Sequence, residues 1–205
     1  LNEAWQLLLK QKSVTVDAAK VDLTWTGREL LGNLFCYEKA EFDSAYVAAD
    51  TVKMHEKAYI MRSLLTDLDM LNAQHPFCTV DKWIDQAREF GQTPEVKDYY
   101  EMNARRLITT WGGDLNDYAV RNYSGLIANY HAKRWEIYID EAFRSVRTGT
   151  PFRDKERIKA TNEFQLSFAD KHGEQFPKYQ GIELLSFSRA LASKYATELQ
   201  SWLTK

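Results

Sequence analysis

The side chains that could carry chemistry here are 4 histidines, 2 cysteines and 29 acidic residues, and their spacing decides which chemistry is open to them. A di-iron site in a helical bundle needs a glutamate three residues ahead of a histidine on each of two helices, so that both ligands share a face. The residues three before His55, His75, His131 and His172 are Val52, Asn72, Ala128 and Ala169. None is acidic and no HExxH occurs, so no metal site and no cofactor are expected. Cys36 and Cys78 lie among apolar residues without CxxC spacing, and nothing nearby depresses either thiol. The pair reads as two buried free thiols, not as a nucleophile or a disulfide. There is no GxSxG, Walker loop or GxGxxG.

Glycoside hydrolysis requires a pair of carboxyl groups, and 29 acidic residues offer many combinations. Most alternate with Lys and Arg along helical faces, where they are solvated. Asp114 and Asp117 stand apart beside Trp111, Gly112 and Gly113, and their spacing fits a capping box at a helix start. Around this Gly-Gly break lie Trp111, Tyr118 and Tyr123. A ring at a helix end beside a turn can face solvent and stack on the apolar C–H face of a sugar, a contact worth about 1 kcal/mol by analogy with aromatic pairs. The competing assignment places these rings in the core, and periodicity puts Tyr123 and Tyr130 there.

The elements that must hold these residues are helical. With 9 Gly and 4 Pro the chain has few turn signals for an all-β fold, and 44% hydrophobic residues with 6 Trp, 11 Tyr and 10 Phe can fill a core. A short helix is expected over residues 2–10 and a long one from Asp17 toward Ala49. Met54, Ala58, Met61, Leu65 and Leu68 alternate steps of four and three, the seam of a helix that ends before His75-Pro76. Thr79 is placed to cap a helix ending at Gly91. Thr93-Pro94-Glu95 starts the next, expected to reach Trp111. A helix from Asp114 carries Ala119, Tyr123, Leu126, Ile127 and Tyr130, and its rhythm continues through Trp135 and Ile139 to Gly149. Two more, about 154–171 and 182–203, complete the chain. The fold class is therefore all-α: a single domain over 1–205 built as an antiparallel bundle of about seven to eight helices.

A net charge of −2 lacks the basic face that nucleic acid requires. No run of 18 apolar residues suits membrane insertion. A first residue Leu1, with no Met and no signal-like segment, reads as a cut or processed end. Asn122-Tyr123-Ser124 forms a glycosylation sequon, expected mid-helix and therefore fortuitous.

Several ordered motifs resemble one family. Asn103-Ala-Arg105, Thr109-Thr110-Trp111-Gly112, Asp117-Tyr118-Ala119, Gly125-Leu-Ile-Ala-Asn129-Tyr130 and Arg134-Trp135 closely resemble the family-89 glycoside hydrolases, the α-N-acetylglucosaminidases. Glu3-Ala-Trp5 with Leu7-Leu8-Leu9, Asp22-Leu-Thr24, Trp83-Ile-Asp-Gln-Ala-Arg88 and Phe164-Gln165-Leu166 follow in the family's order, so the resemblance spans nearly the whole chain. The turn between Trp111 and Asp117 is shorter than the family's and lacks its proline.

What the resemblance implies is the helical C-terminal domain of a retaining, exo-acting enzyme that removes terminal α-linked GlcNAc. Its two catalytic glutamates lie on a separate (β/α)8 barrel, against which this domain packs. No catalytic residue is expected in this chain, which should be inactive alone. Trp111 and Tyr118 match positions that wall the sugar site, and Arg105 a structural ion pair. The implied partners are the barrel and a glycan with terminal α-GlcNAc. The implied compartment is the lysosome in an animal and the periplasm or exterior in a bacterium. The rival reading is a stand-alone helical interaction module without activity.

Overall fold

The computed structural model describes residues 1–111, 117–179 and 182–204, and these form nine α-helices and no β-strand. The chain divides into two compact units, one of residues Leu1–His75 with Lys178–Lys205 and one of Pro76–Pro177.

The first unit is built on α2 (Asp17–Val47) and α3 (Thr51–Asn72), which pack as a helical hairpin. Leu23, Leu30, Leu34 and Phe42 of α2 are buried against the expected Met54–Leu68 seam of α3. Ala49 at φ 54° turns the chain, and the Asp50 carboxylate then caps α3 by accepting from the Lys53 amide at 3.0 Å. α1 (Asn2–Leu9) lays the buried Trp5 over Gly27, where a Cβ would stand 2.8 Å from the indole Nε1. Arg189 of α8 (Leu184–Lys194) donates to the Leu9 carbonyl at 2.9 and 2.8 Å and to Gln11 at 2.6 Å, a cation at the negative end of α1. Tyr195 divides the expected last helix into α8 and α9 (Ala196–Leu203). Its buried hydroxyl and the Lys194 ammonium both donate to Asp67 at 2.6 Å.

The second unit holds α4 (Val80–Arg88), α5 (Pro94–Leu107), α6 (Ala132–Thr148) and α7 (Asp154–Ala169). Val80, Ile84, Ile108, Leu126, Tyr130, Phe168 and Phe176 form its core, with Trp83, Tyr123 and Phe164 packed against it. The Thr93 hydroxyl caps α5 by accepting from the Val96 amide at 3.4 Å. Gly149 ends α6 in the left-handed conformation at φ 61°. Glu141 gathers the turn that follows, accepting from Arg144 at 2.6 Å and from the Arg153 guanidinium and amide. Those bonds, Arg144's first, hold its carboxyl far below the usual range.

Several expectations need correction. The helix expected from Asp114 does not pass through Asp117–Ser124. That stretch is a turn and irregular chain, and helix resumes at Leu126 as a widened π-turn over Ile127–His131 leading into α6. The Ser124 amide donates to the Cys78 carbonyl at 2.7 Å and its carbonyl accepts from Val80 at 3.0 Å, a backbone pairing that helical geometry forbids. Asp114 lies outside the described residues, and Asp117 is not in a helix start. Asn122 is exposed on irregular chain, not mid-helix. α5 stops at Leu107 and α2 at Val47. Cys36 is exposed and only Cys78 is buried, although both are free. Thr79 precedes α4 but spends its hydroxyl as a donor to Pro76 at 3.1 Å.

Candidate functional site

The second unit brings Trp111 and Tyr118 together. α5 delivers the first, because Arg105 near its end is fixed on every side. Its buried guanidinium pairs with Glu101, and the Thr109 hydroxyl donates back to the Arg105 carbonyl at 2.6 Å. The expectation of a structural ion pair at Arg105 holds. Beyond Leu107 the chain makes one more turn, and the Trp111 amide donates to the Arg106 carbonyl at 2.6 Å. Trp111 itself sits at φ 52°, a left-handed conformation rare for a bulky residue and costing about 1–2 kcal/mol. It swings the indole off the helix axis.

Asp117 returns the chain to the same place. Its amide donates to the Thr109 carbonyl at 2.9 Å, and it too is left-handed, at φ 64°. The Tyr118 ring lies against the Trp111 indole with centroids 5.3 Å apart and planes at 55°, a tilted aromatic pair. Trp111 remains 38% exposed and Tyr118 73% exposed, so both rings offer surface to an outside group. Gly112–Asn116, between them in sequence, lie outside the described residues.

Behind the ring pair stands a charged and aromatic support. Arg134 of α6 binds both Asp117 carboxylate oxygens, Nη1 at 2.8 Å and Nη2 at 2.5 Å. Its guanidinium covers the buried Tyr130 ring at 5.0 Å. Burial pushes the Tyr130 phenol above its ordinary value, so it stays protonated. The neighbouring His131 donates from Nε2 to the Arg121 carbonyl at 3.0 Å, which fixes the Nε2-protonated tautomer. Burial holds that imidazole down at about 4, with the Arg134 charge acting in the same direction. Tyr123, expected in the core, is only partly buried at its edge.

Stacking surface, a phenol hydroxyl and an ordered backbone suit the walling of a neutral sugar. The Arg134–Asp117 tie was not foreseen in the sequence, where its partners stand 17 residues apart; that both fall in shared motifs, Asp117-Tyr118-Ala119 and Arg134-Trp135, is the signal that pointed there.

Comparison with known proteins gives this arrangement its context. A family model, the α-N-acetylglucosaminidase C-terminal domain, matches residues 1–194. Human α-N-acetylglucosaminidase is 30% identical over 199 residues, covering 94% of this chain and 26% of the human protein. A family 89 glycoside hydrolase from Clostridium perfringens has the same fold. Its complex with the substrate GlcNAc-α-1,4-galactose aligns with a TM-score of 0.77 at 24% identity, over 87% of this chain and 21% of that one. Its complex with 2-acetamido-1,2-dideoxynojirmycin gives 0.75 at 23% identity with the same coverage. The chain thus spans about a quarter of the length of these relatives. With a match running over 194 residues, it belongs to the family of α-N-acetylglucosaminidase C-terminal domains.

Proposed function

We propose that this chain is the helical C-terminal domain of a larger retaining α-N-acetylglucosaminidase, acting on terminal non-reducing α-linked GlcNAc, and that Trp111 and Tyr118 wall its sugar site. A retaining pair of carboxyl groups stands about 5–5.5 Å apart across the scissile bond. In this reading both belong to a (β/α)8 barrel on which the domain packs, and the domain alone hydrolyses nothing. The observation that carries the reading is the exposed ring pair, held by two left-handed residues at the end of α5. Strained backbone persists where its surroundings enforce it, and such strain gathers at ligand-binding sites.

Further support comes from α4 and α5. A cavity of about 510 Å³ between them is lined by Trp83, Phe90, Tyr100 and Leu107, and Phe90, Tyr99 and Leu107 are exposed. Exposed apolar side chains grouped in this way are compatible with cover by another domain. The wall would act by orienting the sugar and excluding water, which changes rate without supplying chemistry. The compartment that goes with this activity is the lysosome in an animal, or the periplasm or exterior in a bacterium.

Kinetics of the full-length parent with a 4-nitrophenyl α-GlcNAc substrate test the reading. Trp111→Ala should lower kcat/KM by roughly 10- to 100-fold with the melting temperature preserved. Wild-type kinetics would remove Trp111 from the site, and a parent gene encoding no barrel would remove the reading itself.

A further inference from the structure

We infer that Arg134 is a positioning residue for the sugar-site wall, acting through Asp117 to hold the Tyr118 ring against Trp111; the inference rests on the wall reading above. The guanidinium reaches the carboxylate with two parallel bonds, 2.8 and 2.5 Å, which fix distance and orientation together. Arg134 is itself immobilised, on a helix and over the buried Tyr130 ring at 5.0 Å. Asp117 is fixed at its other end by the amide bond to Thr109 at 2.9 Å. One residue on, Tyr118 is mostly exposed and, among the described residues, has the Trp111 indole as its ring partner, at 5.3 Å.

An exposed pair of rings on irregular chain would otherwise sample many rotamers, and a stacking surface for a sugar must be in place before the sugar arrives. The left-handed φ of 64° at Asp117 makes the need sharper. An aspartate tolerates that conformation better than most residues, and the ion pair supplies a reason to stay in it. Lysine in place of Arg134 would keep the charge and lose the fork.

The test uses the full-length parent and a 4-nitrophenyl α-GlcNAc substrate. Asp117→Asn and Arg134→Gln should each lower kcat/KM by about tenfold, Arg134→Lys by less, and the double variant by no more than the worse single one. In a Trp111→Ala background, Asp117→Asn should add no further loss, because the indole against which Tyr118 is held is gone. Wild-type kinetics of Asp117→Asn beside a damaged Trp111→Ala, or losses that multiply in that background, would overturn the assignment. If Trp111→Ala itself keeps wild-type kinetics, the wall reading fails, and hydrogen exchange of the Asp117 amide in this 205-residue chain decides the clamp separately. Faster exchange in Arg134→Lys sustains it as the device that orders Tyr118; unchanged exchange overturns it.

Discussion

Glu101 and Arg105, one turn apart on α5, are both buried, and Oε1 of the carboxylate accepts from Nε and Nη2 of the guanidinium at 3.0 and 2.8 Å. The other oxygen takes Arg88 Nη1 at 2.5 Å and the Gly173 amide at 3.2 Å. Arg105 in turn lies near the Phe168 and Phe176 rings, 4.9 and 5.1 Å from their centroids, and donates to the Phe168 carbonyl and Glu174. α4, α5 and the chain after α7 therefore meet on one ion pair, whose Arg105 stands six residues before Trp111.

Removing one partner of such a pair strands the other charge out of water. Arg105→Ala should cost about 3–5 kcal/mol, read as a lower urea midpoint of this chain. Arg105→Lys should recover only part of that, since an ammonium cannot make the two-pronged contact. A midpoint shift under about 0.5 kcal/mol for the alanine variant would show that Glu101 finds other donors.

Gly125 is a position where both conformation and space oppose a methyl group. Its φ is 83°, and a Cβ would stand 2.7 Å from Val80 Cγ1 and 3.0 Å from Phe176 Cβ, both in the core of the second unit. Conformation and crowding add, so Gly125→Ala should destabilise by about 2–4 kcal/mol, against roughly 1 kcal/mol for the conformation alone. Thermal melting of the variant measures it.

Tyr195→Phe removes a 2.6 Å donor from the Asp67 carboxylate and leaves Lys194 as its remaining donor of the two. A hydrogen bond to a charged group contributes about 1.5–3 kcal/mol, and the variant should lose an amount in that range. Burial, with Asp67 alongside, pushes the Tyr195 phenol upward, so the wild-type bond should survive alkaline conditions that ionise exposed tyrosines. Absorbance titration at 295 nm would detect it.

His131 predicts an acid weakness. Its pKa is about 4 in the fold and 6.5 when exposed, so the unfolded chain binds the proton first. Its contribution to stability is complete above pH 6.5 and is lost as pH falls toward 4, at up to about 1.4 kcal/mol per pH unit. His131→Gln should flatten that part of the stability–pH curve. An unaltered slope would place the acid sensitivity elsewhere.

The helices were legible wherever local signals agreed. Thr93-Pro94-Glu95 marks the start of α5, the steps of four and three mark the face of α3, and Gly149 marks the end of α6. Nine helices stand among the described residues where seven to eight were expected, mainly because Tyr195 splits the last one. The segment from Asp117 to Ser124 misled because Tyr123 keeps helical spacing with Leu126, Ile127 and Tyr130. Its conformation is decided by distant partners, Arg134 at the start and the Cys78–Val80 backbone at the end. Periodicity carries no record of either. The ring pair was legible in the rings around the Gly-Gly break and in the shared motifs, and its support was not, since a bidentate contact between Asp117 and Arg134 has no local signature.

The division of the chain has a temporal side. Pro76–Pro177 is one unbroken stretch, whereas the other unit joins Leu1–His75 to Lys178–Lys205. A ribosome releases the sequence in order, and domains fold as their residues emerge. The Trp111-bearing unit can therefore mature while α1–α3 still lack α8 and α9, leaving Asp67 without its Tyr195 and Lys194 donors until those helices emerge. Nascent chains stalled once Pro177 has cleared the ribosome should display a protease-resistant middle and a cleavable front.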